Sequence, residues 1–330
     1  MMRKLIFIST ILLLCGCSSE SLPSLGENGE SVPLSVSGLH LEGSLNEENG
    51  PDGATRAVTP GTITTDGTTI KVFQLATNGY MGKYNVSCTY TGSDGASQWK
   101  LAEFIGIGGR NSAIVGVYDP NNLGVFPDSN TGTVTSVNLT AQEFNDETKL
   151  WYLDNSHTAV TNASPAVAFR MAPAYSRMVL QIERDASYKS ACKITDVTLT
   201  SGGNFFNNLP MNISTGVLNG SATAYNAATK PLLTNADGFV TIASGTQSID
   251  LLLPPQTITG GGLTVSLKID GEVRSVTIPN ASLPKLASGS QYTVPLKILG
   301  PATLIIDSTV TEQAWSANNM GTVTDGSGMN

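Results

Sequence analysis

The sequence predicts an all-β protein made of two β-sandwiches, and three observations support this. Charged residues make up only 13% of the 330 residues, while glycine occurs 34 times. This composition suits short strands and turns and leaves long amphipathic helices without a polar face. Short segments of alternating apolar and polar residues recur along the chain, with the period of a half-buried strand. Clusters of Gly, Asp, Asn and Pro separate these segments, which favours sandwiches over βαβ units.

Residues 1–17 predict export as a lipoprotein. Arg3-Lys4 precedes an apolar run from Leu5 to Leu14, which as a helix would be only about 15 Å long, half of a hydrocarbon core. We therefore expect a signal peptide rather than a membrane anchor. It ends in Leu14-Cys15-Gly16-Cys17, which resembles a bacterial lipobox and implies a lipid on Cys17 that holds the protein at a membrane surface. The alternative is ordinary cleavage and a secreted protein without lipid.

A single strand is predicted between the signal peptide and the body of the chain, within a propeptide that covers residues 18–56. Residues 18–31 are rich in Ser, Glu, Gly and Pro, as expected of a solvated tether. Residues 32–41 then alternate apolar with small or polar residues. The apolar set comprises Val32, Leu34, Val36, Leu39 and Leu41. Residues 43–56 return to turn formers and charge, so turn-rich segments flank this strand on both sides. We call residues 32–41 the leader strand.

The body of the chain divides into two predicted domains, residues 57–162 and 163–330. In the first, strand patterns cover residues 69–75, 84–90, 99–107 and 113–118. In the second, they cover residues 167–171, 177–183, 193–200, 238–242, 248–253, 263–269, 272–278, 291–298 and 303–307. Asp270-Gly271 favours a hairpin turn between two of these strands. Thr140 and Glu143 have the spacing of a helix-capping box, so a short helix is a candidate there.

Charge and cysteine content exclude several kinds of partner. A net charge of −8 offers no basic surface to a phosphate backbone, so we expect no nucleic-acid partner. Two of the four cysteines lie in the signal peptide, which leaves Cys88 and Cys192. There is no Cys-x-x-Cys pair, and His40 and His157 are far from either thiol in the sequence, so we predict no metal site and no cofactor. We expect two buried thiols, with a disulfide between them as the alternative.

No active site is predicted, and we expect the chain not to be an enzyme. His157 follows Asp154 and Ser156 in one short segment, but no Gly-x-Ser-x-Gly elbow accompanies it, so a polar turn is the simpler interpretation. The recurring Asp-Gly pairs lie between predicted strands and suit turns. The three tryptophans could stack on sugar rings, but burial against a sheet is commoner.

In order and spacing, these features resemble the fimbrillin family, the lipoprotein-derived pilins (type V pili) of Gram-negative anaerobes. The resemblance covers nearly the whole chain, with little to match in the middle of the first domain. The matching segments are the lipobox ending at Cys17, the leader strand at residues 32–41, Thr55-Arg56-Ala57-Val58, residues 169–180, residues 286–296, Leu304-Ile305-Ile306 and Trp315.

The resemblance implies two transthyretin-like β-sandwich domains in tandem, carried to the outer membrane as a lipoprotein and finally part of a surface fimbria. It implies that an arginine-specific protease cuts a loop and that the leader strand then leaves the first domain. The open groove accepts a donor strand, usually C-terminal, from another copy or a related pilin subunit. Removing the five apolar leader side chains would expose the apolar surface that they cover. At about 1.5–3 kcal/mol for each side chain, the burial free energy lost would be roughly 10 kcal/mol. An unpaired strand edge, a template for strand addition, would be exposed as well.

We expect cleavage after Arg56, which would leave Ala57 as the mature N-terminus. We place the donor strand within about residues 303–325, whose apolar side chains include Leu304, Ile306, Val310 and Val323. The alternative for this segment is a final strand of its own domain. The alternative function is a surface-anchored glycan- or protein-binding lipoprotein that does not polymerise, and a hydrolase is a distant third.

Overall fold

The computed structural model describes residues 30–42, 61–62, 65–92, 98–118, 136–144, 152–213, 223–228, 230–300 and 303–315. Every regular element in these ranges is a strand, which confirms the all-β fold class. Over the same ranges, no helix has the length and apolar character needed to span a bilayer.

Twenty-five strands follow one another along the described ranges. The first twelve are β1 (Val32–Pro33), β2 (Ser35–Leu41), β3 (Gly61–Thr62), β4 (Thr69–Gln74), β5 (Lys83–Thr91), β6 (Gln98–Leu101), β7 (Gly106–Ile107), β8 (Ser112–Tyr118), β9 (Ser136–Thr140), β10 (Gln142–Glu143), β11 (Tyr152–Val160) and β12 (Ala166–Pro173). The others are β13 (Ser176–Arg184), β14 (Lys193–Ser201), β15 (Asn208–Asn212), β16 (Leu233–Thr234), β17 (Val240–Thr241), β18 (Thr246–Leu253), β19 (Gln256–Thr257), β20 (Gly262–Ile269), β21 (Glu272–Pro279), β22 (Lys285–Leu286), β23 (Ser290–Leu299), β24 (Thr303–Ile306) and β25 (Thr311–Ala314).

Three large sheets contain most of these strands. The eight-stranded sheet has the order β3-β2-β12-β11-β8-β4-β5-β6. The six-stranded sheet has the order β10-β18-β13-β23-β24, with β25 also paired to β23. The five-stranded sheet has the order β16-β14-β20-β21, with β17 also paired to β14. Three two-stranded ribbons, β1-β7, β9-β15 and β19-β22, complete the pairing.

The buried apolar side chains form two cores. The first core is built around Leu39, Phe73, Ile114, Tyr152 and Phe169, which all come from the eight-stranded sheet. The second core is built around side chains that the six-stranded and five-stranded sheets contribute together. These include Leu180, Leu251 and Leu296 from the former and Leu199 and Leu267 from the latter. The period-two pattern of the sequence explains this burial, because alternate side chains of a strand point to the same face.

The chain passes between the two cores more than once. Strand β12 follows residue 162, where the sequence places the domain boundary, yet it pairs with β2 and β11 in the eight-stranded sheet. Strand β10 precedes that residue and pairs with β18 in the six-stranded sheet. Local patterns identify strands, but they do not specify which sheet a strand joins, because pairing depends on residues far away in the chain.

Two local expectations are wrong. The helix start predicted at Thr140–Glu143 is wrong, since Thr140 ends β9 and Gln142–Glu143 forms β10; residues 145–151, into which that helix would continue, lie outside the described residues. Pairing of these strands with β15 and β18 overrides the capping-box pattern. The strand predicted over residues 99–107 is broken into β6 and β7, because β6 pairs with β5 whereas β7 pairs with β1 of the leader.

The hairpin predicted at Asp270-Gly271 is confirmed. These residues connect β20 and β21 directly, with Ile269 opposite Glu272. Asp270 and Gly271 have φ values of 49° and 90°, the left-handed conformation that a two-residue hairpin turn requires. The Asp270 carboxylate also accepts hydrogen bonds from the backbone N–H groups of Cys192 and Lys193 at 2.8 and 2.9 Å. The turn is thereby tied to the start of β14.

Both body cysteines are unpaired and buried, as the preferred interpretation of the sequence predicts. Cys88 lies in the first core and Cys192 in the second. Burial raises the pKa of the Cys88 thiol to about 12. Burial, together with the nearby negative charge of Asp270, raises the pKa of Cys192 to about 11.

We predict that neither thiol is reactive in the folded protein, because each is inaccessible and almost fully protonated at neutral pH. In the precursor without its signal peptide (residues 18–330), a water-soluble maleimide at pH 8 should label no cysteine in the native state and both cysteines in denaturant. The variant Cys88→Ala should give one label in denaturant. Absence of labelling in denaturant until a reductant is added would contradict the two-thiol structure.

Candidate functional site: the leader strand and its groove

The leader strand is hydrogen-bonded to two separate strands, β7 and β12, of which only β12 belongs to the eight-stranded sheet. Strand β1 pairs antiparallel with β7, with Val32 opposite Ile107. Strand β2 pairs parallel with β12 along its whole length. Further backbone bonds of 2.9 Å run from the N–H of Leu34 to the carbonyl of Ile105 and from the N–H of Glu42 to that of Met171. On its other edge, β2 pairs with β3 at two positions only, His40 and Leu41.

The apolar side chains of the leader strand lie in the first core. Leu34 and Val36 are each 5% exposed, Leu39 is 1% exposed and Leu41 is fully buried. Val32 is half-buried against the same core. Full burial of such side chains contributes about 1.5–3 kcal/mol each, so the four buried residues represent roughly 10 kcal/mol of gross burial before the entropy cost of ordering the segment. We call the groove that these side chains fill the leader groove.

A bulge sets the spacing of the side chains in the leader groove. Val36 lies opposite Val167, but the next residue of β12, Ala168, lies opposite Gly38. The extra residue is Ser37, whose hydroxyl donates to the carbonyl of Val167 at 3.1 Å. Because of this bulge, the buried positions are two residues apart on either side and three residues apart across it. A strand that replaced the leader would need the same spacing or a shifted register.

Asp154 supports β12 from the side opposite the leader, and sequence analysis assigned it no such role. It is 6% exposed, and its carboxylate accepts a 2.8 Å hydrogen bond from the backbone N–H of Arg170 in β12. Strand β11 shifts register against β8 between Asp154 and His157. The carboxylate thus takes the place of a backbone acceptor where β11 is irregular. The interpretation of residues 154–157 as a polar turn is wrong, because they lie within β11, and nothing in the sequence pointed to the partner of Asp154 on β12.

Neighbouring donors keep Asp154 ionised despite its burial. Burial raises the pKa of this carboxyl. Hydrogen bonds from the Ser156 hydroxyl at 2.6 Å and from the backbone N–H groups of Ser156 and Arg170, with the adjacent His157, outweigh that effect. The net result is a pKa below the ordinary value of 3.8.

Asp154, Ser156 and His157, which the sequence analysis considered and rejected as a catalytic group, lie together in space but are not ordered as a nucleophile and its base. A serine nucleophile hydrogen-bonds to the histidine, which the acid orients. Here the Ser156 hydroxyl donates to Asp154, and His157 Nε2 lies 3.1 Å from the other Asp154 oxygen. The imidazole ring also packs edge-on against Phe169, with 5.3 Å between ring centroids. This arrangement stabilises an irregular strand.

The predicted donor residues lie partly in the described ranges. Leu304 and Ile306 belong to β24, which pairs antiparallel with β23 of the same chain. Val310 is buried in the second core. In the single subunit, these residues therefore form the last part of their own sheet, which is the alternative that the sequence left open. Val323, like the lipidation residue Cys17 and the cleavage residues Arg56 and Ala57, lies outside the described residues.

Features that would suit other functions are sparse in the part of the chain that the structure describes. Trp315 is buried, and Trp99 is half-buried with its ring packed edge-on against Tyr90. A shallow depression of about 530 Å³ is lined by Asn78, Arg110 and Asn111. In the described ranges of the chain, no cluster of three or more His, Cys, Asp or Glu side chains could hold a metal ion.

A sequence model of the fimbrillin-like family matches residues 55–315. This chain belongs to the fimbrillin-like family. The resemblance stated from the sequence is thereby confirmed. The match includes the predicted cleavage residues and most of the body, while the leader strand lies on its N-terminal side.

Three solved structures are similar to this fimbrillin-like chain. Proposed cell adhesion proteins from Bacteroides uniformis and Bacteroides ovatus are each 15% identical, with TM-scores of 0.49. Each alignment covers 87% of this chain, and 98% and 99% of the respective structures. A fimbrial protein from Bacteroides vulgatus is 14% identical with a TM-score of 0.46, covering 84% of this chain and 99% of that one. No curated protein matches the sequence. Family membership therefore rests on the family model.

We predict that truncating a buried leader side chain destabilises the first core strongly. Leu41→Ala should lower the free energy of unfolding of the precursor by about 2–5 kcal/mol, because it removes buried methyl groups and leaves a cavity. Ser35→Ala, an exposed position on the same strand, should change it by less than about 0.5 kcal/mol. Urea unfolding followed by tryptophan fluorescence measures both. Equal effects would contradict the observed burial.

The lowered pKa of Asp154 predicts a pH-dependent contribution to stability. A carboxyl with a depressed pKa in the folded state stabilises the protein above its unfolded pKa, and this contribution is lost as the pH falls through the folded value. Asp154→Asn should therefore cost about 1–3 kcal/mol at pH 7. The difference from the wild type should shrink below about pH 4. A difference that stayed constant from pH 7 to pH 3 would show that ionisation of Asp154 is irrelevant.

Proposed function

We propose that this fimbrillin-like chain is a structural subunit of a cell-surface pilus. In this proposal, it is exported as a lipoprotein and held at the outer membrane by lipid on Cys17. An arginine-specific protease cuts it after Arg56, and the subunits polymerise by donor-strand exchange with other copies or related pilins. The single observation that carries the proposal is that the leader strand is buried in the first core, although its connection to the body contains a candidate cleavage site.

The connection between leader and body has a composition suited to one cut. Residues 43–60 contain a single arginine, Arg56, and no lysine. Cleavage there would leave β1 attached to β7, and β2 attached to the eight-stranded sheet, through non-covalent contacts alone. Strand β3, which pairs with β2, would stay with the mature chain and lose that partner.

Departure of the leader would create a binding site for another strand. The leader groove would expose apolar surface, and the backbone groups of β7 and β12 that pair with the leader would lose their partners. An open strand edge beside an apolar groove is a template for strand addition. A donor strand with apolar side chains at the spacing set by the Ser37 bulge would restore both the burial and the hydrogen bonds. The lost intramolecular stability would then be recovered between subunits.

Other arginines compete poorly as cleavage sites. Arg177 is buried. Arg184 donates hydrogen bonds of 3.0–3.2 Å to the carbonyls of Ile242 and Tyr188. Arg110 is exposed in a loop, but its carbonyl accepts a 2.9 Å hydrogen bond from the hydroxyl of Tyr80, which ties this loop to the connection between β4 and β5. Arg110 is therefore the suitable control position.

The two cores support the finer structural proposal of two transthyretin-like sandwiches in tandem, one for each core. The first would accept the donor strand, and the C-terminal segment of about residues 303–325 would supply one to the next subunit. We propose that the role of the chain is assembly rather than catalysis. The hydrogen-bond order of Ser156, Asp154 and His157 supports this, since the serine is not presented to the histidine.

We predict that Arg56→Gln prevents polymerisation. Purified lipid-free precursor treated with an arginine-specific protease should release the leader and form SDS-resistant ladders, and the product should begin at Ala57. Arg56→Gln precursor should keep its leader and stay monomeric, whereas Arg110→Gln should behave as the wild type. Sequencing of the N-terminus and gel electrophoresis measure these outcomes. Ladders from Arg56→Gln protein, or assembled material that still carries residues before Ala57, would contradict the proposed cleavage; cleaved wild-type protein that stays monomeric would favour a binding lipoprotein that does not polymerise.

A further inference from the structure

The C-terminal strand of the described chain is held in an unusual way. Strands β24 and β25 both pair with β23, on the edge opposite β13, and occupy different ends of it. All four residues of β25 are exposed, so the strand itself contributes hydrogen bonds but little burial. The buried side chains that bracket it are Val310, which is 9% exposed, and Trp315, which is 3% exposed.

Trp315 fits between an aromatic ring and a buried cation. Its ring packs edge-on against Phe144, with 5.5 Å between centroids. The guanidinium carbon of Arg177 lies 5.7 Å from the Trp315 ring centroid and 5.2 Å from that of Phe144. The backbone N–H of Trp315 donates to the carbonyl of Gly289 at 2.8 Å. The side chain is thus fixed by aromatic and cation–π contacts and by its own backbone.

The guanidinium group of Arg177 is itself held in place by the Asp250 carboxylate. Arg177 is 4% exposed, and its Nε donates to both carboxylate oxygens of Asp250 at 2.9 and 3.0 Å, while Nη2 also donates to this carboxylate. The backbone N–H of Phe144 donates to the carbonyl of Asp250 at 2.8 Å. Phe144, Arg177 and Asp250, which we call the Trp315 socket, come from three segments that are far apart in the sequence. Trp315 packs against this socket from a fourth segment.

We propose that Trp315, seated against Phe144 and Arg177, is a latch that keeps β25 on its own subunit and controls when this C-terminal strand becomes available to a second copy of the chain. The inference rests on the proposed function, in which the C-terminal segment is the donor. A strand with exposed side chains is retained chiefly by what is buried at its ends. Loss of the larger of the two bracketing side chains should therefore open the strand locally, while the rest of the sheet remains folded.

The latch can be tested with the precursor of residues 18–330 by hydrogen exchange. Trp315→Ala should speed amide exchange in residues 303–315 by roughly 150- to 5,000-fold, the scale of a buried tryptophan truncation. Exchange in β4 and β8, whose side chains lie with Trp315 in the first core, should not change. Trp315→Phe, which keeps an aromatic ring in the socket, should restore most of the protection. Trp99→Ala is the matched control, since it removes a tryptophan from the edge strand β6.

The same variants are then cleaved at Arg56, and the rate of SDS-resistant ladder formation is measured. Faster ladders from Trp315→Ala than from wild type and Trp99→Ala, together with exchange confined to residues 303–315, would support the latch. Equal acceleration of exchange in β4 and β8 would overturn it, because Trp315 would then be ordinary packing of the first core. Local opening with unchanged ladders would overturn its control of assembly. If the wild type forms no ladders, the proposed strand exchange fails, while hydrogen exchange still decides whether Trp315 holds β25.

Discussion

The organisation of the first half of this protein depends on burial of the leader side chains against the first core. Leu34, Val36, Leu39 and Leu41 are supplied by a segment that lies more than 100 residues away, in sequence, from its main partner β12. Their roughly 10 kcal/mol of gross burial is comparable to the net stability of a whole domain, about 5–15 kcal/mol. Release of the leader without a replacement would therefore leave the first core close to instability. In the proposed assembly, cleavage alone would not provide the energy for release, so a replacement strand would have to compete for the same groove.

Two features make the leader groove selective. The bulge at Ser37 fixes an uneven spacing of buried side chains, which a replacement strand must match or avoid by a shifted register. Asp154 holds the backbone of β12 at Arg170 from the opposite side, so β12 can keep its position while its partner changes. In the proposed assembly, β12 would be the fixed wall of the groove and the leader its exchangeable occupant, so that a single surface would serve both the precursor and the polymer.

Local sequence patterns predicted the strands but not their partners. The long alternating segments β13, β20 and β23 and the hairpin at Asp270-Gly271 were predicted because their signals are short-range. Strands β9, β11, β15 and β25 were missed, since each is short or interrupted by a run of polar residues or a proline. The break between β6 and β7, the sheet that β12 joins and the bond from Arg170 to Asp154 all depend on distant contacts. The leader side chains were predicted from alternation, whereas the bulge that spaces them was not.

The most direct test of the account is to lock the leader covalently. Ser35 and Ala166 are exposed register partners on β2 and β12, so Ser35→Cys with Ala166→Cys can form a disulfide that fixes the leader in its groove. After cleavage at Arg56, the oxidised protein should keep its leader and form no ladders, and reduction should restore both release and assembly. A control disulfide between Thr264→Cys and Thr277→Cys, register partners in the β20–β21 hairpin, should leave assembly unchanged. Ladders of equal yield from the oxidised and reduced Ser35–Ala166 variant would contradict the account, because polymerisation would then not require the leader strand to leave.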